Sequence, residues 1–206
     1  MRKPMMDKLF FIDKVDADVF VDFGCADGSM INLMNDIFPR KLYFGYDHNN
    51  RMIELAKKNN PEDNCTFFSD WSELLETIET VRIINKNKAK ICIIFSSVLH
   101  EIENKTEFFH FINFKSFDYL VIRDMYLSDD KYLTVPQLMG LIDKIPYKLK
   151  AHYGSKLFET KNIIQAMFKS YYKHNLAHEL KEDYFSFNKS HIRELEMKYH
   201  MKPMHR

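Results

Sequence analysis

The sequence predicts an α/β fold, a doubly wound and mostly parallel sheet with a helical C-terminal appendage. Three observations lead there. Short apolar runs alternate with segments of helical period from Val19 to Arg123. One run, Lys90 to Phe95, is apolar almost throughout, the pattern of a strand buried on both faces. Two of the chain's five glycines fall in one loop, Gly24 and Gly28, after the first run and ahead of a helix. Glycine serves where a backbone turns tightly or a ligand comes close, so that loop is the expected ligand site.

Taken in order, Lys8 to Val15 carries Leu9, Phe10, Ile12 and Val15 and is expected to be a short leading helix. Val19–Phe23 is the first strand, and Ser29–Phe38 a helix closed by Pro39. Lys41–Tyr46 is the second strand, ending in Asp47. Met52, Ile53, Leu55 and Ala56 make Asn50–Lys58 a helix, stopped by Asn59-Asn60-Pro61. Cys65–Phe68 is the third strand. Leu74, Leu75, Ile78, Val81 and Ile84 recur at three and four residues, so Glu73–Asn85 is an amphipathic helix. Lys90–Phe95 is the fourth strand, a helix follows near Lys105–Phe114, and Tyr119–Arg123 is the fifth strand.

After Asp130 the pattern changes. Val135–Ile145 reads as a helix ended by Pro146, and Ile164, Met167, Phe168 and Tyr171 stripe a longer one over Lys161–Leu180. Residues 1–150 are therefore expected to form the core, and 151–206 a helical appendage or lid packed on it. Lys148–Tyr153 and Tyr199–Arg206 are weak strand candidates.

A chain of 206 residues with 46% hydrophobic content makes one domain, or one with a small appendage. Its net charge of +1 sets up no global field toward nucleic acid or membrane. The three cysteines, Cys25, Cys65 and Cys92, have neither disulfide-framework nor zinc-ribbon spacing. The basic start Met1-Arg2-Lys3-Pro4 is followed by no signal-peptide apolar region, and no run is long enough to span a membrane. The expectation is a cytoplasmic protein.

Which ligand suits the loop? A dinucleotide site asks for G-x-G-x-x-G facing a pyrophosphate. Here the series is Gly24-x-Ala26-x-x-Ser29, and Asp22 and Asp27 crowd the turn. Carboxylates repel a pyrophosphate and favour a ligand carrying an ammonium and a sulfonium, as S-adenosylmethionine (SAM) does. The stretch Phe20-Val21-Asp22-Phe23-Gly24-Cys25-Ala26-Asp27-Gly28 resembles motif I of the class I SAM-dependent methyltransferases, with Ala26 in place of the middle glycine. The resemblance extends over residues 15–125 and implies the Rossmann-like methyltransferase fold.

It also implies a cofactor site. Asp47 lies about 20 residues beyond the loop, where a carboxylate grips both ribose hydroxyls. The run from Gly45 to Ile53, with His48 and Met52 in it, is similar to the second motif. Ser69-Asp70-Trp71 resembles the third, Asp70 accepting the adenine amino group and Trp71 covering the ring. Ser96-Ser97-Val98-Leu99-His100-Glu101 resembles motif IV of enzymes with small-molecule substrates. The cofactor-binding set is thus Asp22, Gly24, Cys25, Ala26, Asp27, Gly28, Asp47, His48, Met52, Asp70, Trp71, Ser96 and Ser97, with SAM as cofactor and no metal. Each also has a plainer reading: Asp70 as a helix cap, Trp71 as core, Cys25 as a small packing residue.

For catalysis, His100 is placed to deprotonate an acceptor hydroxyl or ammonium, with Glu101 orienting it. The alternative is a histidine that merely starts a helix. Arg123-Asp124 ends the fifth strand and either meets a polar substrate or is a solvated pair. His174, His178 and Glu182 share a helical face, but Asn175 breaks the H-E-x-x-H pattern, and surface histidines are the expected reading.

The acceptor is expected to be a small molecule, because motif IV lacks the N-P-P-Y or D-P-P-Y sequence suited to the amino groups of bases. Two other functions stay open. Residues 151–206 hold ten Lys/Arg against six Asp/Glu and nine aromatics, which suits an RNA or other macromolecular acceptor. Ala26 leaves room for a SAM-binding protein with no activity of its own.

Overall fold

The computed structural model describes residues 6–124, 126–127, 134–158, 160–170, 185 and 187–203. Five strands form one parallel sheet: β1 (Val19–Phe23), β2 (Leu42–Tyr46), β3 (Cys65–Phe68), β4 (Ile91–Ser96) and β5 (Tyr119–Arg123). Their order is β3-β2-β1-β4-β5, with Val19 level with both Leu42 and Ile91. The helices between them are α1 (Ser29–Ile37), α2 (Asn50–Asn59), α3 (Trp71–Ile84) and α4 (Lys105–Ile112). The winding reverses between β1 and β4, and in such sheets a crevice opens there at the strands' carboxyl ends.

Side chains alternate across a strand with period two, and the core divides accordingly. Val19, Val21, Phe23, Ile91, Ile93 and Phe95 face α3 and α4, where Trp71, Leu74, Ile78, Phe109 and Ile112 are buried. Phe20, Tyr43, Cys92, Ile94 and Val121 face α1 and α2, against Met30, Ile31, Met34, Ile53 and Ala56. Asp22 holds the next position on that second face, a carboxylate in an apolar register.

The leading segment differs from the expected helix. A single 3-10 turn, Asp7–Leu9, is followed by turns through Lys14. Leu9 and Phe11 are both buried in the α1/α2 core while Phe10 is exposed. Residues two apart share no helical face, so the demand of the core overrides local periodicity.

Beyond β5 come α5 (Val135–Lys144), α6 (Tyr147–Tyr153) and α7 (Thr160–Lys169), which share a core of their own: Ile142, Ile145, Leu149, Leu157, Ile163 and Ala166. The boundary expected after residue 150 falls inside α6. Lys148–Tyr153, a strand candidate in the sequence, is helical because Leu149 turns into this small core. The chain then returns to the main core. Residues 126–127 (β6) pair in parallel with Phe187–Asn188 (β7), and α8 (Lys189–Lys198) follows.

The sequence reading places a helical appendage over 151–206 without singling out α8. Asn188 caps it, accepting from Ser190 N, while His191 Nδ1 accepts from Asn188 N. Leu195 is buried against the α3/α4 side, with Ile192, Tyr199 and Met201 beside it, and the described part of Tyr199–Arg206, through residue 203, is not a strand. Tyr171, Tyr172, His174, His178, Glu182 and Tyr184 lie outside the described residues, as do the side chains of Ile164 and Phe168.

Gly45, in β2, is where the two sides of the cofactor loop are drawn together. A Cβ there would lie 2.5 Å from the buried Phe67 ring and 2.9 Å from Cys25 Sγ. Gly45→Ala is therefore expected to destabilise the fold by about 1–3 kcal/mol through overpacking, measured as a lowered urea midpoint at unchanged slope.

Candidate functional site

The turn after β1 runs Gly24 (φ 76°), Ala26 (φ 47°) and Gly28 (φ 74°) through the left-handed region. Alanine rarely adopts it, and Ala26 is held there by its neighbours. Gly24 N and Cys25 N both donate to Tyr46 O, and Ala26 N donates to Asp47 Oδ2 at 3.0 Å. Asp47 Oδ1 accepts from Asn49 N at 2.9 Å. Asp27 accepts from Ser29 N and Ser29 Oγ, securing the first turn of α1. Gly28 is obligatory for a second reason, since a Cβ there would meet Asn60 Nδ2 at 2.5 Å.

A cleft of about 100 Å3 opens between this turn and the end of β4, lined by Asp22, Gly24 through Asp27, Ser29, Met30, Ser96 and, from the leading segment, Lys8. It sits at the reversal of strand order. Asp22 is 4% exposed, and among the described residues no group hydrogen-bonds to its carboxylate. Burial pushes its pKa up to about 7, with Lys8 pulling it down and the Asp47 charge adding to the rise. The buried Ser96 hydroxyl also has no partner among the described residues. A larger cavity, about 460 Å3, lies at the opposite edge of the sheet beside Arg40 and Asn85, and none of these residues reaches it.

The remaining sequence-derived residues are placed as follows. Cys25 is buried under the loop, and burial next to Asp22 and Asp47 holds its thiol protonated, well above the usual range. Its surroundings are those of a packing residue. His48 is exposed, with Nδ1 3.7 Å from Asp47 Oδ1, and Met52 is half-buried on α2. Asp70 caps α3, Oδ1 accepting from Ser72 N and Glu73 N. Trp71 is buried, its ring centroid 5.3 Å from that of Phe23 and 5.1 Å from that of Tyr46. The cap and core functions of these two residues are thus both present. Ser97 also has positive φ, 62°; its N donates to Arg123 O and its Oγ accepts from Arg123.

His100 is 6% exposed, in the 3-10 turn Leu99–Glu101. Its Nδ1 is 2.7 Å from Asp124 Oδ1, while Asp124 Oδ2 accepts from Leu99 N at 2.6 Å. The carboxylate that fixes the ring is therefore Asp124, at the end of β5. Glu101, expected in that part, stands 3.9 Å from Nε2 with its side chain half exposed. Lys105 is buried behind them, donating to Ile102 O and Phe185 O, and burial lowers its pKa. Lys8 is the cleft residue that sequence reasoning did not bring to the site. Asp124, expected at a strand's carboxyl end as a substrate contact or a solvated residue, instead has its side chain fully buried against His100.

The position of Asp22 has a consequence for stability. Its pKa when folded, about 7, lies above the ordinary 3.8, so the native state binds the extra proton. The contribution is fully present below about pH 4 and is lost as pH rises through 7. Asp22→Asn should flatten the fall in melting temperature between pH 5 and pH 8; an unchanged slope would assign that fall to other groups.

Residues 3–171 match a family model described as a methyltransferase domain. No curated protein matches the chain. A SAM-dependent methyltransferase from Anabaena variabilis superposes with a TM-score of 0.52 at 17% identity, over 96% of this chain and 70% of that one. That likeness is one of fold. The plantazolicin methyltransferase BpumL, solved with a pentazolic desmethylPZN analogue and SAH, matches with a TM-score of 0.47 at 16% identity, over 95% of this chain. The chain spans 60% of the length of BpumL. With the sheet order, the turn after β1 and a family model that takes in most of its length, the chain belongs to the methyltransferase-domain family, the class I SAM-dependent methyltransferases.

Proposed function

We propose that this protein transfers a methyl group from SAM to a small-molecule acceptor. The observation that carries the reading is Asp22, a buried carboxylate without a hydrogen-bond partner among the described residues, in a cleft at the switch of strand order. Burying an unpaired carboxylate costs several kcal/mol, and a ligand ammonium offsets that cost. SAM has such an ammonium, and when bound it supplies an electrophilic methyl on a sulfonium.

Around that anchor, the loop residues Gly24, Ala26, Asp27 and Gly28 let backbone come close to the ligand. Asp47 spends one lone pair of each oxygen on backbone N–H groups and keeps others for the two ribose hydroxyls. Asp70 keeps Oδ2 for the adenine amino group. His48 and Met52 flank the ribose, Trp71 backs the adenine side from the core, and Ser96 and Ser97 form the rim toward the acceptor. Cys25 packs beneath the loop.

His100 is the base. With Asp124 accepting from Nδ1–H, the basic nitrogen of the ring is Nε2, and it takes the proton of an acceptor hydroxyl or ammonium. Glu101, beside Nε2, favours the imidazolium that forms. Residues 151–206 act as a lid on this edge. In support, Phe185 N donates to His100 O and Lys105 Nζ donates to Phe185 O. The lid excludes water and aligns the acceptor with the methyl group, where much of the acceleration of an in-line displacement arises.

Asp47→Ala is expected to weaken SAM binding by about 2–4 kcal/mol, the loss of charge-assisted hydrogen bonds, with the fold intact by circular dichroism. Unchanged affinity by calorimetry would overturn the assignment. His100→Gln should lower methyl transfer into extract-derived acceptors, followed with methyl-labelled SAM, by about 10²–10⁴-fold. SAM affinity should stay within about twofold. An undiminished rate would remove the base role.

A further inference from the structure

We infer that the turn closing α3, Arg82 to Lys90, is a docking surface for an anionic bilayer. It lies at the edge where the strands begin, opposite the cleft, so the docking is independent of the SAM reading. The nine residues Arg82-Ile83-Ile84-Asn85-Lys86-Asn87-Lys88-Ala89-Lys90 hold four bases and no acid. The chain's net charge of +1 sets up no global field, but this turn makes a local one. Ile83 and Ile84 are 66% and 72% exposed, two adjacent aliphatic side chains in water just ahead of the basic run.

The turn is held in one shape. Lys86 N donates to Ile83 O and Asn87 N to Arg82 O, Lys86 and Asn87 both have positive φ, and Ala89 is buried. Two acids meet this basic set. Asp118 lies 2.9 Å from Arg82 and 3.2 Å from Lys90, and Asp18 accepts from Lys90 N and stands 3.8 Å from Lys41. Lys86 and Lys88 are left without an ion-pair partner among the described residues. So is Lys115, exposed in the neighbouring loop that Arg82 grips through Ser116 O. The acids Glu62 and Asp63 precede β3, on the far side of β2 and β1 from β4. Aliphatic tips beside unpaired lysines match a bilayer surface: isoleucine enters the boundary between headgroups and acyl chains, and lysine meets the lipid phosphates. A single-stranded nucleic acid asks instead for aromatic rings on which its bases stack, and the nine residues contain none. The contact is peripheral, since no described helix is long and apolar enough to cross a membrane.

Sedimentation of the full chain with phosphatidylcholine vesicles, with and without phosphatidylserine, tests the assignment. At low salt the wild type should bind the anionic vesicles about tenfold or more tightly than the neutral ones. Lys86→Gln combined with Lys88→Gln should weaken that binding by about tenfold. Ile83→Gln combined with Ile84→Gln should weaken it by about tenfold at unchanged charge, which a purely electrostatic attraction would not show. All four positions are exposed, so the melting temperatures of both variants should match the wild type. The cleft opens at the other end of the strands, so SAM affinity should be the same with and without vesicles. Equal binding to the two vesicle types, no binding to either, or full binding retained by the isoleucine variant would overturn the assignment. Tighter binding to a mixed-sequence RNA or to polyglutamate than to the anionic vesicles would overturn it as well, giving the turn to a nucleic acid or an acidic protein.

Discussion

Three backbone N–H groups of the turn after β1 are committed to the end of β2: two to Tyr46 O and one to the Asp47 carboxylate. The rest of the site depends on that tie. It sets Gly24, Ala26 and Gly28 at positive φ, directs Cys25 down onto Gly45, and starts α1 beside the cleft. It also makes Asp47 a structural member of the loop as well as a candidate ligand group. Strain at Ala26 of order 1–2 kcal/mol is tolerated because the surrounding bonds leave the backbone no alternative.

Much of the sheet was legible in the sequence. β1, β3 and β5 lie where the apolar runs place them. β1, buried along its whole length, writes that length in a nearly continuous apolar run, and the partly exposed edge strands β3 and β5 are marked by β-branched and aromatic residues. The leading segment was not legible, since Leu9 and Phe11 answer to distant core partners and not to a helical period. Nor was α8, whose mean composition is polar and whose one buried residue, Leu195, is meaningful only against α3 and α4. At the site, local motifs identified the loop and Asp47. The pairing of His100 with Asp124 depends on β4 and β5 lying side by side, and a separation of 24 positions hides it from any local pattern.

Asp22 and Lys105 show function drawing on stability in the same small region. Each is a charge-bearing group sunk in an apolar environment, and each has its pKa moved toward the neutral form by burial. Lys105 is compensated by two backbone carbonyls. Asp22 has no such compensation within the described residues, which is the arrangement expected where a ligand completes the site.

The place of α8 in the main core bears on how the protein is made. The α4 side of the main core is covered in part by α8 and the residue after it, which follow the whole α5–α7 excursion: Leu195 joins its cluster, Glu194 accepts from Thr106, and Tyr199 packs on Phe114. On a ribosome, the sheet and its first four helices emerge long before the element that closes their apolar flank. The nascent chain must therefore carry an open hydrophobic face through the synthesis of α5, α6 and α7. Consolidation of this flank waits for α8 to leave the exit tunnel, so domain-wise folding during translation is delayed by the length of the excursion.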